Sequence, residues 1–161
     1  MEIITLGNEL LRRKAERVTD IDKELTKVAE ELIVALHKGK GVGLAGPQVS
    51  LMKRIFVVHV EKDIPRVFIN PSILETSLET VKYEEGCLSI PRVYADVIRP
   101  GAVRIQAWNE KGRAFTLDAE GVLARVILHE YDHLEGILFI DRLSELKRKR
   151  IITKFERTRK A

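Results

Sequence analysis

Val122-Leu123-Ala124-Arg125-Val126-Ile127-Leu128 runs directly into His129-Glu130-Tyr131-Asp132-His133, and this joined stretch decides how the rest of the chain is read. Val122, Leu123, Val126 and Ile127 recur at helical spacing. Asp118 before them is a residue type that caps a helix start, and Gly136 a type that ends one. A helix from Asp118 to about Gly136 is therefore expected. His129 and His133 then lie one turn apart on one face, where both imidazoles can meet a single metal ion, with Glu130 beside them. In an H-E-x-x-H site that carboxylate takes a proton from water whose pKa the metal has lowered to roughly 7.

A catalytic metal usually has three protein ligands and an open position, so a third ligand must be found. The longer pattern H-E-x-x-H-x-x-G-x-x-H matches at Gly136 but fails at Phe139, which cannot bind a metal. Glu145 and Glu156 lie in a basic terminal segment where solvation is the ordinary fate of a carboxylate. Cys87, the only thiol of the chain, is the favoured third ligand. Glu84 and Glu85 immediately before it should repel a free thiolate and weaken it as a nucleophile, whereas a divalent metal would reverse that penalty.

Outward from this centre, Leu25, Val28, Ala29, Leu32, Ile33 and Leu36 mark an amphipathic helix from about Asp22 to Lys38. Acidic residues lead it, His37 and Lys38 close it, and Gly39 and Gly41 punctuate its exit. Ile55–Val60, Arg66–Asn70 and Val81–Tyr83 read as strands. Ala102–Trp108 and Arg113–Leu117 read as a hairpin turned by Asn109-Glu110-Lys111-Gly112. A third helix is expected from Ser144 to about Lys160. The order predicts an α+β fold: mixed or mainly antiparallel strands around a central metal-binding helix, flanked by an N-terminal amphipathic helix and a C-terminal basic one.

The chain has 161 residues and 45% apolar content, which fits one domain spanning 1–161. Charged residues at 32% argue against disorder and membrane embedding. The N-terminus does not read as a signal peptide, nothing approaches membrane-spanning length, and a lone cysteine fits a reducing compartment, so the cytoplasm is expected. From Leu143 to Ala161 there are eight Lys/Arg against Glu145 and Glu156, a local balance of +6 within a chain of net charge +4. That helix is either a solvated charged face or a surface for an anionic partner.

Gly41-Val42-Gly43-Leu44-Ala45-Gly46 is a literal G-x-G-x-x-G, but a helix precedes it and too few residues follow before the next strand for a crossover helix, so a dinucleotide site is disfavoured. A phosphate loop fails because Pro47 stands where lysine is required. Two readings remain: a helix-exit turn, or a loop that lets a ligand approach the backbone, with Gln48 as a hydrogen-bond donor.

Taken together, Gly41-Val42-Gly43-Leu44-Ala45-Gly46-Pro47-Gln48, Glu85-Gly86-Cys87-Leu88-Ser89 and His129-Glu130-Tyr131-Asp132-His133 resemble the three signature motifs of bacterial-type peptide deformylases. The resemblance runs from Leu11-Arg12 to Leu138-Phe139-Ile140-Asp141-Arg142. It implies Cys87, His129 and His133 as ligands of one divalent metal, with Fe²⁺ the physiological ion and Zn²⁺ or Ni²⁺ as substitutes. It implies Glu130 as general base and acid, and Gln48 and the Leu88 N–H as donors to the oxyanion. Peptide contacts are implied at Val42, Gly43 and Gly86, and the substrate as an N-formyl-methionyl peptide that releases formate. Because such enzymes act on nascent chains, the ribosome becomes a candidate partner for the basic helix; no membrane partner or dedicated nucleic-acid module is expected. The chain departs from the pattern at Gly46, where alanine is usual, and at Leu128, where glutamine is common. Greater backbone freedom at Gly46 is expected to loosen the loop that positions Gln48. The rival readings are a metalloprotease, which cysteine ligation disfavours, and a structural-metal or ribosome-binding protein, which would need neither Glu130 nor an open position.

Overall fold

Alternation along one pair of strands explains the layering. In β2 (Ile55–Val58) and β3 (Arg66–Thr76), Phe56, Val58 and Phe68 face one side of the sheet, while Ile55, Val57, Val67 and Ile69 face the other. Both faces are covered. The first set packs with Ala124, Ile127 and Leu134 of α2 (Gly121–Leu134), and the second with Ala29, Leu32 and Leu36 of α1 (Lys23–Lys38). Leu32 and Leu36 are fully buried and each contributes about 1.5–3 kcal/mol by leaving water.

The structure, a computed structural model, describes residues 1–160. Its five-stranded sheet has the order β1-β2-β3-β6-β7, with β1 at Gly43–Ala45, β6 at Ala102–Trp108 and β7 at Ala114–Glu120, and every neighbouring pair is antiparallel. A separate antiparallel hairpin joins β4 (Thr80–Cys87) to β5 (Ile90–Pro100). A third cluster, including Leu6, Leu11, Ile90, Val97 and Phe139, ties this hairpin to the N-terminal segment and to α3 (Glu145–Lys160) through Ile151, Ile152 and Phe155. The α+β expectation therefore holds, with the metal-motif helix at the centre. No described helix is long and apolar enough to cross a membrane.

Local chemistry accounts for most boundaries. Asp22 caps α1 by accepting from the Leu25 N–H at 2.9 Å. Asn109 turns the β6–β7 hairpin, its Oδ1 accepting from Lys111 N–H and Arg113 N–H at 2.9 and 3.1 Å. The C-terminus of α2 closes with Ile137 N–H donating to Asp132 O and Gly136 N–H to His133 O, a Schellman arrangement, so Gly136 is the stop expected of it.

Several expectations need correction. Asp118 is not the cap of α2: it lies in β7, paired with Arg104, and Gly121 at φ +62 is the left-handed residue that lets the chain turn from strand into helix. The second strand ends at Val58 rather than Val60. The third continues past Asn70 through Pro71 to Thr76, because the proline, which has no N–H to donate, sits in a register shift between Ile69 and Ser72 instead of ending the ladder. The glycine stretch contains the three-residue strand β1, and β5 was not anticipated at all.

Candidate metal centre and peptide cleft

Three sequence-distant segments converge at the cleft: the β1 edge, the end of β4 and the last turns of α2. Cys87 closes β4, while His129 and His133 face it from the helix, and the ligand atoms of all three lie within 4.8 Å of one another. Cys87 Sγ is 3.3 Å from His133 Nε2. The cleft beside them has a volume of about 480 Å³ and includes Val42, Gly43, Gly86, Leu88 and Glu130 in its lining.

The residue that orients this set was missed in the sequence. Glu85 is buried, and its Oε1 is 2.8 Å from His129 Nδ1, which turns His129 Nε2 toward the cluster. The same carboxylate accepts from Arg99 at 2.6 and 3.0 Å and from Arg125 at 2.8 Å. Arg99 then donates to Asp132 at 2.8 Å, and Asp132 also accepts from Arg142 at 2.8 and 3.1 Å. Burial pushes the Glu85 carboxyl up, but hydrogen bonds from His129 and Arg99 outweigh it and hold the group well below the usual carboxylate range. Glu85 is thus spent on three partners, and Glu84 beside it is exposed. Asp132, one of the two positions that the H-E-x-x-H pattern leaves unspecified, could have been singled out as an inward carboxylate from its helical phase; its partners Arg99 and Arg142 could not.

Glu130 stands apart from this network. It is 3% exposed, its Oε1 has no hydrogen-bond partner among the described residues, and its Oε2 is 3.9 Å from His129 Nε2. Burial pushes its carboxyl up to about 7, against the charge of His129. Its fit requires Gly43, where a Cβ would come within 2.6 Å of Glu130 Oε2. Gln48 lies behind the sulfur: its Oε1 accepts from Ala45 N–H at 2.9 Å, which turns its amide nitrogen toward Ser89 Oγ at 3.1 Å and Cys87 Sγ at 3.5 Å. The Leu88 N–H has no hydrogen-bond acceptor among the described residues. Phe139, which fails as a ligand, lies with its ring 5.9 Å from that of His129.

Gly46 does not loosen this arrangement. It is buried, a Cβ there would meet Leu51 O at 2.6 Å and Lys53 O at 2.9 Å, and its own carbonyl accepts from Leu51 N–H. The missing side chain lets the following loop close against it. Leu128 is half-buried against the apolar core, and the polar support of His129 comes from Glu85 instead.

The donor set fits a divalent cation. Burial works against a charge on His129, yet Glu130, Cys87 and Glu85 together raise its pKa well above the ordinary value, so the site draws in positive charge. Burial and the charges of His129 and Arg99 hold His133 well below its ordinary value, leaving a neutral imidazole with a free lone pair. One thiolate and two imidazoles are donors suited to zinc, iron or nickel.

Residues 1–149 match the family model described as polypeptide deformylase. The chain belongs to the peptide deformylase family. Among curated relatives, the peptide deformylase of Borreliella burgdorferi is 46% identical over 160 residues, 99% of this chain and 97% of that protein. That of Treponema pallidum is 47% identical over 148 residues, 92% of this chain and 91% of that protein. The crystal structure of peptide deformylase from Ehrlichia chaffeensis in complex with actinonin superposes with a TM-score of 0.96 at 34% identity, covering 100% of this chain and 98% of that one. The deformylase chain described here is accordingly an enzyme of a metallohydrolase family.

Proposed function

We propose that this enzyme removes the N-terminal formyl group from formyl-methionyl nascent polypeptides, with Cys87, His129 and His133 holding one divalent metal ion. The observation that carries the reading is the meeting of these three donors beside a buried carboxylate, Glu130, whose Oε1 has no hydrogen-bond partner among the described residues. Fe²⁺ is the proposed physiological ion and Zn²⁺ or Ni²⁺ its substitutes, since mixed thiolate and imidazole ligation suits all three. When bound, the ion would supply Lewis-acid polarisation of the formyl oxygen and acidify the attacking water.

The protein groups divide the remaining work. β1 pairs with β2 along one edge and leaves the other toward the cleft, so Val42 and Gly43 can hold the substrate backbone as an added strand, with Gly86 opposite. The methionine side chain would rest in the apolar part of the cleft, near Ile90 and Val126. Glu130 accepts a proton from the attacking water and delivers it to the departing amine, and a carboxyl pushed up to about 7 is matched to both transfers near neutral pH. The Gln48 amide and the Leu88 N–H stabilise the tetrahedral oxyanion; Gln48 releases or shares its contact with Cys87 Sγ to do so.

The chain acts as one domain over 1–161 and works in the cytoplasm, where the Cys87 thiol stays reduced. Its basic helix offers Lys147, Arg150, Lys154 and Arg157 to an anionic partner, which we assign to ribosomal RNA near the site of nascent-chain emergence. The function is tested by anaerobic reconstitution with Fe²⁺ or Ni²⁺ and measurement of formate release from formyl-Met peptides. Glu130→Ala should retain the metal and lose turnover by about 10²–10⁴-fold; full activity without Glu130, or none in the metallated wild type, contradicts the reading.

A further inference from the structure

Outside the centre just described, two histidines among the described residues are in direct contact. His37, in the last turn of α1, places Nε2 2.8 Å from Nδ1 of His59, just beyond the end of β2. The rings stand 5.0 Å apart at 57°. His59 Nε2 is in turn 2.8 Å from the Asp63 carbonyl oxygen. A carbonyl can only accept, so His59 donates from Nε2, and in the neutral ring this leaves a lone pair on Nδ1. This is the arrangement of a ligating histidine, whose second nitrogen is held by a backbone carbonyl.

We propose that His37 and His59 form a second metal site, taking a divalent d-block cation such as Zn²⁺ with water completing its coordination. Two nitrogens on one ion at Zn–N distances of about 2.0–2.1 Å lie roughly 2.9–3.4 Å apart, so the observed separation need open by only a few tenths of an ångström. His37 transfers its ring proton from Nε2 to the solvent side, Nδ1, and the site gains the ion without shedding a proton. His37 is exposed and His59 half-buried, which gives an entry path, and the C-terminal end of α1 adds negative potential where the cation sits. Nothing in the proposed deformylation requires this pair.

The position gives the site a consequence. His59 N–H donates to Val42 O at 2.8 Å, and His37 O accepts from Lys40 N–H at 3.1 Å. An ion bridging the two rings would fasten the exit of α1 to β2 and brace the segment that leads into the cleft edge at Val42 and Gly43.

The test uses enzyme whose Cys87/His129/His133 set is already zinc-loaded, then dialysed and titrated with further Zn²⁺ by calorimetry and by ¹⁵N spectra of the histidine rings. Wild type should take up about one further equivalent, shift His37 Nε2 and His59 Nδ1, and melt at higher temperature as it fills. His37→Phe, on an exposed helix face that does not threaten folding, should weaken that second equivalent by more than the roughly 10–100-fold typical of losing an outer-shell partner, and abolish its effect on melting. A second equivalent unchanged in His37→Phe, its absence from wild type, or ring resonances that do not move would each overturn the site.

Discussion

Helices α2 and α3 both carry many ionisable side chains, yet the two deploy them differently. On α2, Arg125, His129, Asp132 and His133 are buried, and each is held by or placed beside a named partner from another element. On α3, Lys147, Arg150, Lys154 and Arg157 face solvent, and the pair of Lys149 with Glu145 at 3.2 Å is exposed and local. Burial makes the first set depend on its partners, because an unpaired charge away from water is costly. Exposure makes the second set interchangeable for stability while leaving its summed potential available for binding.

The contrast breaks most readily at Arg99, which lies between Glu85 and Asp132 and is 4% exposed. Arg99→Met should lose about 3–5 kcal/mol in urea unfolding, because both carboxylates remain buried with fewer partners. A loss below about 1 kcal/mol would mean that Arg125 and Arg142 suffice to hold them.

Glu130 tests the same region through pH. In the metal-free protein its carboxyl is raised from 4.5 to about 7, so the folded state keeps a proton that the unfolded chain has already released. Its contribution is therefore favourable at low pH, falls as pH rises between those two values, and stays lost above about 7. Glu130→Gln removes this dependence. Relative to wild type it should gain on the order of 3 kcal/mol between about pH 4.5 and 7.5, at about 1.4 kcal/mol for each tenfold difference in proton affinity between the folded and unfolded states. Parallel stability curves for the two proteins would contradict the burial argument.

The smallest effect belongs to α3. Lys147→Glu/Arg150→Glu should change stability by no more than about 0.5 kcal/mol and leave formate release from short peptides intact, while reducing co-sedimentation with ribosomes. Unchanged co-sedimentation would return this helix to the role of a solvated face.

The same contrast explains what could be read from the sequence. Periodicity and residue type are local, so α1, the β6–β7 hairpin, α3 and the spacing of His129, Glu130 and His133 were legible. Phe139 ruled out the longer motif and directed attention to Cys87, which the structure does bring to both histidines. Partnership is not local. Glu85 meets His129 across 44 positions and Arg99 meets Asp132 across 33, and no pattern near either residue encodes such a meeting. Strand β5 was hidden by Pro91 and by charged residues at its exposed positions, and Asp118 looked like a cap because its membership of β7 depends on pairing with Arg104. Gly46 shows the limit of reasoning from residue type alone: freedom was expected, and close packing against Leu51 and Lys53 is what the fold makes of it.

The central claim is that Cys87, His129 and His133 together hold the metal, and cobalt substitution tests it most directly. Co²⁺ loaded anaerobically into the metal-free enzyme should give one bound ion per chain with a thiolate-to-cobalt charge-transfer absorption in the near ultraviolet. That absorption should vanish in Cys87→Ser and persist in Glu130→Gln. A cobalt protein without the band, or a band that survives in Cys87→Ser, would contradict the account.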